Sequence, residues 1–199
     1  MRGFEVGVVC ACVLAFGAPQ PCEGQIPLEG VAISGGYYGW GGSNVDGLEA
    51  GSRFNVSVFG LNTPTLALAL TGTYGVGGLE GTEADVQEWG LGISLRRLFG
   101  SPSAAARFFV DAHLGWTQLR VDIAEVSSDV EENGISVGPG MGVSIPIASS
   151  FRTFVAFDAL LHRYGEIRFS EGEGTGESGN SGWRVGGRVG LTWLPGGDF

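Results

Sequence analysis

Only two histidines, His113 and His162, occur in this 199-residue chain, which limits the acid–base chemistry open to it. His162 lies four residues before Glu166 and eight before Ser170. A base, an acid and a hydroxyl thus fall within one short stretch, the residue types that acyl transfer and deacylation need. No local motif marks Ser170 as a nucleophile, so no catalytic residue is assigned. His162, Glu166 and Ser170 are the candidates for a lipid-modifying hydrolase or acyltransferase. All 11 basic residues are arginine. The absence of lysine excludes a Walker A lysine, a Schiff-base lysine and a lysine general base.

The three cysteines, Cys10, Cys12 and Cys22, all precede Gly24. Residues 1–24 read as a signal peptide, with Arg2 as a thin n-region and an apolar run from Val6 to Ala18. Thirteen helical residues span about 20 Å, short of the ~30 Å hydrocarbon core, so the run suits a signal better than a membrane helix. Cleavage after Gly24 leaves small residues at −3 and −1, and cleavage after Gly17 is the alternative. The mature chain then has no cysteine, which removes disulfide frameworks and thiolate metal sites. Val9-Cys10-Ala11-Cys12 is a weak lipoprotein-like match, because Cys12 lies inside the apolar run instead of after it. Nothing in the remainder implies a metal or another cofactor.

The elements that position the candidate residues are strands. Beyond residue 25 apolar residues recur with period 2 and never usefully with period 3.6. Strands are expected near 30–40, 48–59, 65–75, 88–98, 107–123, 135–147, 151–169 and 182–194. In the sixth, Ile135, Val137, Met141, Val143 and Ile145 alternate with Ser136, Gly138, Gly140, Gly142 and Ser144. Connections alternate in length too. Tight turns follow strands 2, 4 and 6, at 60–64, 100–106 and 148–150. Longer polar loops follow strands 3, 5 and 7, near 76–87, 124–134 and 170–181. This is the rhythm of an all-β, eight-stranded antiparallel up-and-down barrel with its termini on the short-turn side. Pro139 sits mid-strand, where a local bulge is expected.

A barrel can face two ways. A lipocalin-like soluble barrel turns its apolar side inward, and a transmembrane barrel turns it to lipid. Trp183 and Trp193 are ten residues apart on one face, as are Trp89 and Phe99 on another strand. At ~3.3 Å per residue and ~40° of tilt, ten residues rise about 25 Å, the height of an outer-membrane apolar band flanked by interfacial aromatics. Many of the 37 glycines lie on the polar face, mixed with charged residues. Small residues between long ones would fill a narrow lumen, whereas a water-facing exterior has no need of them.

Charge is segregated as well. Asp46, Glu80, Glu83, Asp85, Glu88, Glu125, Asp129, Glu131, Glu132, Glu171, Glu173 and Glu177 are 12 of the 21 acids. They fall in loops 41–47, 79–88, 124–134 and 170–181, which contain no arginine, while Arg97, Arg107 and Arg152 lie by the opposite turns. Over residues 28–199 the chain resembles the small eight-stranded outer-membrane barrels of the OmpA/OmpX type. The resemblance is architectural, and the C-terminal Phe199 matches the aromatic last residue those barrels present to the barrel assembly machinery. It implies residues 25–199 as an outer-membrane domain, with membrane lipids and lipopolysaccharide as neighbours.

Parity places Glu49, Arg53, Arg96, Asp111, His113, Arg152, Asp158, His162, Glu166, Arg184 and Arg188 inward. An ion-paired plug is the expectation, since arginine can satisfy several carboxylates. Glu49 with Arg53 and Asp158 with His162 are four apart on single strands. A last hairpin symmetric about residue 175 would set Glu166 opposite Arg184 and His162 beside Arg188. A plugged eight-stranded lumen leaves little room for a pore. The acidic loops could bridge divalent cations to lipopolysaccharide phosphates. No basic patch with interleaved aromatics is present, which argues against nucleic acid.

Overall fold

The computed structural model describes residues 29–42, 47–82, 84–101, 103–122, 129–169, 175–176 and 181–195. Side chains are described for these except 129, 166–169 and 175–176. Eight long strands form: β1 (Gly30–Gly41), β2 (Gly51–Asn62), β3 (Leu66–Gly78), β4 (Asp85–Phe99), β5 (Arg107–Asp122), β6 (Asp129–Ala148), β7 (Phe151–Phe169) and β8 (Ser181–Trp193). Each pairs antiparallel with the next, and β8 pairs with β1 to close an up-and-down barrel without an edge. Between β7 and β8, Thr175 and Gly176 fold back on Arg168 and Ile167.

The register fixes the barrel's dimensions. Starting at Gly30, successive partners are Phe59, Ala69, Ser94, His113 and Gly138. Gly138 lies opposite Leu160, and Leu160 leads through Arg184 to Trp40. One circuit therefore advances from residue 30 to residue 40, a stagger of ten (40 − 30). With eight strands ~4.8 Å apart and ~3.3 Å per residue, that stagger gives a tilt of about 40° and a backbone radius of about 8 Å. Such an interior holds side chains and little else.

The period-2 pattern sets the two faces. Ile33, Leu70, Leu91, Ile93, Leu114, Met141, Phe157, Val185 and Val189 point outward and are exposed. Their alternating neighbours Ser34, Thr71, Asp111, Gly140, Asp158 and Arg184 point inward. The inward face is not uniformly polar, as the sequence reading had it. Phe59, Phe109 and Phe154 pack with Ala32, Ala67, Ala69 and Ala156 toward the turn end. Val86, Leu119 and Tyr164 pack with Trp40, Leu48, Leu79 and Val121 toward the loop end. The ion pairs lie between these two apolar layers.

Several strands run further than expected. β4 begins at Asp85 rather than 88, β6 at Asp129 rather than 135, and β3 continues to Gly78. The apolar alternation is interrupted in these extensions, as in Glu131-Glu132-Asn133, although Val86 still faces the lumen and pairing persists. β2 starts at Gly51 instead of 48, and Leu48 forms an isolated bridge to Leu79.

The bulge expected at Pro139 is not there. Register shifts fall at Phe59/Leu61, Asn133/Gly134 and Pro146/Ala148. At Pro139 the ladder to β7 skips Gly138 and Pro139 and resumes at Gly140 and Asp158 in the same register. A missing N–H is thus absorbed by a short opening of the ladder. Gly138 lies against the Ala159 carbonyl oxygen and Gly36 against that of Gly187, so closely that a Cβ at either position would collide.

Candidate functional site

Five charged side chains from β2, β4, β5, β7 and β8 form one chain of ion pairs across the lumen. Arg53 donates from Nη2 to Asp158 Oδ2. Arg188 donates from Nε to Asp158 Oδ1 at 2.6 Å and from Nη2 to Asp111 Oδ2 at 3.0 Å. Arg96 grips Asp111 with both Nε (2.8 Å) and Nη2 (3.1 Å). Arg96 also stacks 3.9 Å above the Phe109 ring centroid, which uses the face of its guanidinium while the edge is occupied. Each aspartate thus holds two arginines, and no strand neighbour in sequence could supply that arrangement.

A second cluster lies toward the loops. Glu88 accepts from Arg184 Nη1 at Oε2 and from Thr117 Oγ1, at 3.1 Å, at Oε1. His162 Nδ1 lies 4.0 Å from Glu88 Oε1, and neither ring nitrogen has a hydrogen-bond partner among the described residues. Trp40 closes on the imidazole edge-on at 5.1 Å, and Tyr164 stacks on it at 6.0 Å. His162 is fully buried inside the barrel.

Along the other wall runs a hydroxyl ladder. Ser57, Thr71 and Ser94 contact in series at 3.0 and 3.3 Å, then His113 Nδ1 lies 3.2 Å from Ser94 and Nε2 3.4 Å from Ser136. Between ladder and ion chain is a cavity of about 50 Å³ lined by Arg53, Asn55, Thr73, His113, Asp158 and Arg188. That is room for a few waters, with polar partners on every side. Chemically the lumen is a strap: it ties strands from both halves of the chain and obstructs the bore.

Most of the inward residues named from parity are here. Arg53, Arg96, Asp111, His113, Arg152, Asp158, His162, Arg184 and Arg188 all point into the lumen. Glu49 does not. It precedes β2, is exposed and bonds Gly78 through its backbone N–H, so Arg53 pairs with Asp158 instead. His162 sits beside Glu88 rather than Asp158 or Arg188. The last hairpin is centred on residue 172 (Leu160 with Arg184, His162 with Gly182), not 175. Arg184 therefore faces Leu160, and Arg188 faces Ala156. The side chain of Glu166, and Ser170 altogether, lie outside the described residues, as do the signal peptide, Phe199 and half of the acidic loop residues.

Glu88 and Arg107 were missed as lumen residues, and each is 1% exposed. Glu88 falls both in the expected strand 88–98 and in the acidic loop 79–88, and it was counted with the loop. Its parity with Gly90, Gly92 and Ser94 was the signal. Arg107 shares parity with Phe109 and Asp111. The loop end is also not free of arginine, since Arg120 of β5 pairs in register with Glu131 and exposed Arg163 lies at the same end. Trp89, Phe99, Trp183 and Trp193 all point outward.

A closed eight-stranded up-and-down barrel with an apolar exterior and a side-chain-filled bore defines the fold. It is the fold of the small outer-membrane barrels. Neisserial surface protein A superposes with a TM-score of 0.59 at 14% identity, over 82% of this chain and 96% of that one. The N-terminal β-barrel domain of Pseudomonas aeruginosa OprF gives 0.47 at 15% identity, over 83% and 98%. Ail, the attachment invasion locus protein of Yersinia pestis, gives 0.47 at 11%, over 83% and 100%. The fold assignment rests on the first of these. No family model and no curated protein matches the chain in sequence.

Proposed function

We propose that this chain is exported by the signal peptide at 1–24 and resides in the outer membrane as an integral barrel with a structural or surface-interaction role. The observation that carries this reading is the continuous apolar exterior, on which Phe157 and Val189 are 63% and 60% exposed. Soluble monomers rarely expose apolar patches beyond a few hundred Å². Here the band encircles the barrel, and Trp183 and Trp193 bracket it about 25 Å apart at the tilt the register sets. Membrane lipids fit that surface. Phe199 would serve assembly by the barrel machinery, and the acidic loops would face lipopolysaccharide, where divalent cations can bridge carboxylates to phosphates.

Fractionation tests the location. The protein should pellet with outer membranes, need detergent for extraction, and migrate differently on gels before and after boiling. Recovery from aqueous extract without detergent would remove the membrane reading.

No catalytic step is part of this proposal. His162 is fully buried among the described residues, against Trp40, Tyr164 and Glu88. The His162→Ala variant should leave the acyl-chain profile of lipid A unchanged, as read by mass spectrometry; an altered profile would revive the enzyme. Conduction is expected to be poor as well, because ion pairs and two apolar layers obstruct the bore. Steady, reproducible conductance in planar bilayers would contradict the plugged lumen.

A further inference from the structure

Arg53, Arg96, Arg184 and Arg188 each meet a carboxylate inside the barrel. Arg107 and Arg152 meet none among the described residues. Both project into the lumen at the turn end, 1% and 9% exposed respectively. Arg107 donates from Nη2 to the Pro64 carbonyl, and its Nε is buried without a partner. Arg152 donates from Nε to Ser144 Oγ at 3.0 Å. The strands put the two guanidiniums in one place: Arg107 faces Ser144 across β5 and β6, and Arg152 faces Pro146 of the same strand. They are near enough to repel each other.

Two like charges held together out of water are costly unless something negative completes them. The space for it is present. Both arginines line a cavity of about 30 Å³, together with Arg96, Ser144, Thr192 and Asn62 and the apolar Phe59, Ala67, Leu98 and Leu194. By volume it admits two or three waters or one small anion. Arg152 also reaches the Ser144 carbonyl from Nη2 at 3.5 Å, and the guanidinium N–H groups not spent on Ser144 and Pro64, with hydroxyl and amide donors beside them, suit the oxygens of a tetrahedral oxyanion.

The geometry points to an inorganic-phosphate-class oxyanion site at the short-turn mouth of the barrel, held by Arg107 and Arg152. The anion completes the lumen's charge pattern at this end, as Asp111, Asp158 and Glu88 do elsewhere. The site depends on the lumen alone and not on what covers the outer face. One carboxylate of the described chain is a rival for the pair. Glu29, beside β1 at this end, has a buried Oε2 without a hydrogen-bond partner among the described residues.

Titration of the detergent-folded protein with inorganic phosphate, followed by phosphorus NMR line broadening and by the thermal midpoint of the gel-mobility change, tests this. At constant ionic strength phosphate should broaden saturably and raise the midpoint, and equal chloride should do less. Arg107→Gln and Arg152→Gln should each weaken phosphate binding about tenfold or more, the loss of a charge-assisted contact. Arg152→Lys, which keeps the charge without the fork, should fall between them and guards against a variant that fails to fold. Absence of saturable binding overturns the proposal, as does binding unaffected by both glutamine variants. If phosphate binds only once Glu29→Gln is introduced, the pair belongs to the chain's own carboxylate and the external site is wrong.

Discussion

Replacing Glu88 by glutamine should destabilise the barrel by about 3–5 kcal/mol, the range expected when one partner of a buried ion pair is removed. Glu88 is 1% exposed and Arg184 3%, so the arginine cannot recover solvation when its carboxylate disappears. Glutamine keeps one acceptor oxygen where the carboxylate has two, so Thr117 and Arg184 can no longer both be satisfied. Glutamine keeps the shape, which separates the electrostatic loss from a packing loss. Urea unfolding of the refolded protein in lipid vesicles, followed by tryptophan fluorescence, measures it. The double variant Glu88→Gln with Arg184→Met should recover much of the loss, because no uncompensated charge then remains. Glu131→Gln supplies the contrast. Glu131 accepts from Gln118 at 3.3 Å at the half-exposed loop end, where such contacts contribute about 0–1 kcal/mol. Equal effects at positions 88 and 131 would mean that the lumen is wetter than its geometry implies.

Val189→Arg should cost about 2–4 kcal/mol in a bilayer, the range for a charge at the midplane of a lipid-facing strand. Val189 lies on β8 six residues from Trp183 and four from Trp193, near the middle of the apolar band, and is 60% exposed. Ile147→Arg places the same charge next to the turn at Ala148 and should cost only about 0–1 kcal/mol. A soluble barrel makes a different forecast. Both positions would then be water-exposed surface, and both changes would fall within about 0.5 kcal/mol of neutral. The difference between the two variants reads membrane depth directly, and equal small effects would overturn the orientation.

How far the fold could be read in advance depended on where alternation held. Within the apolar band every strand showed its two faces, and Ile135 through Ile145 needed no partner to reveal which side was which. Beyond the band the outward face turns polar and alternation fades, so the expected strands begin at 135 and 88 although pairing extends to Asp129 and Asp85. Glu88 stood at the junction of the expected strand and the acidic loop, and it was counted with the loop although its parity with Gly90 and Gly92 is inward. Pro139 misled for the opposite reason. A proline mid-strand suggests a bulge, but the β6–β7 ladder skips two pairs and resumes without a change of register.

Inward and outward character, strand number and the alternation of short and long connections are properties of single strands and their neighbours along the chain. They follow from the side-chain period of two, so the sequence alone determined them. Pairing within the lumen is a different matter. Asp158 meets Arg53, 105 residues earlier, and Glu88 meets Arg184, 96 residues later. Those contacts depend on the ten-residue stagger, since a different shear would set other inward residues at the same height. Stagger is the sum of eight strand registers, and an error in one shifts all that follow. The three-residue misplacement of the last hairpin shows the consequence, moving Arg184 from Glu166 to Leu160. Closure of the barrel, which only the tertiary structure possesses, decided which arginine meets which acid and left Arg107 and Arg152 with none among the described residues.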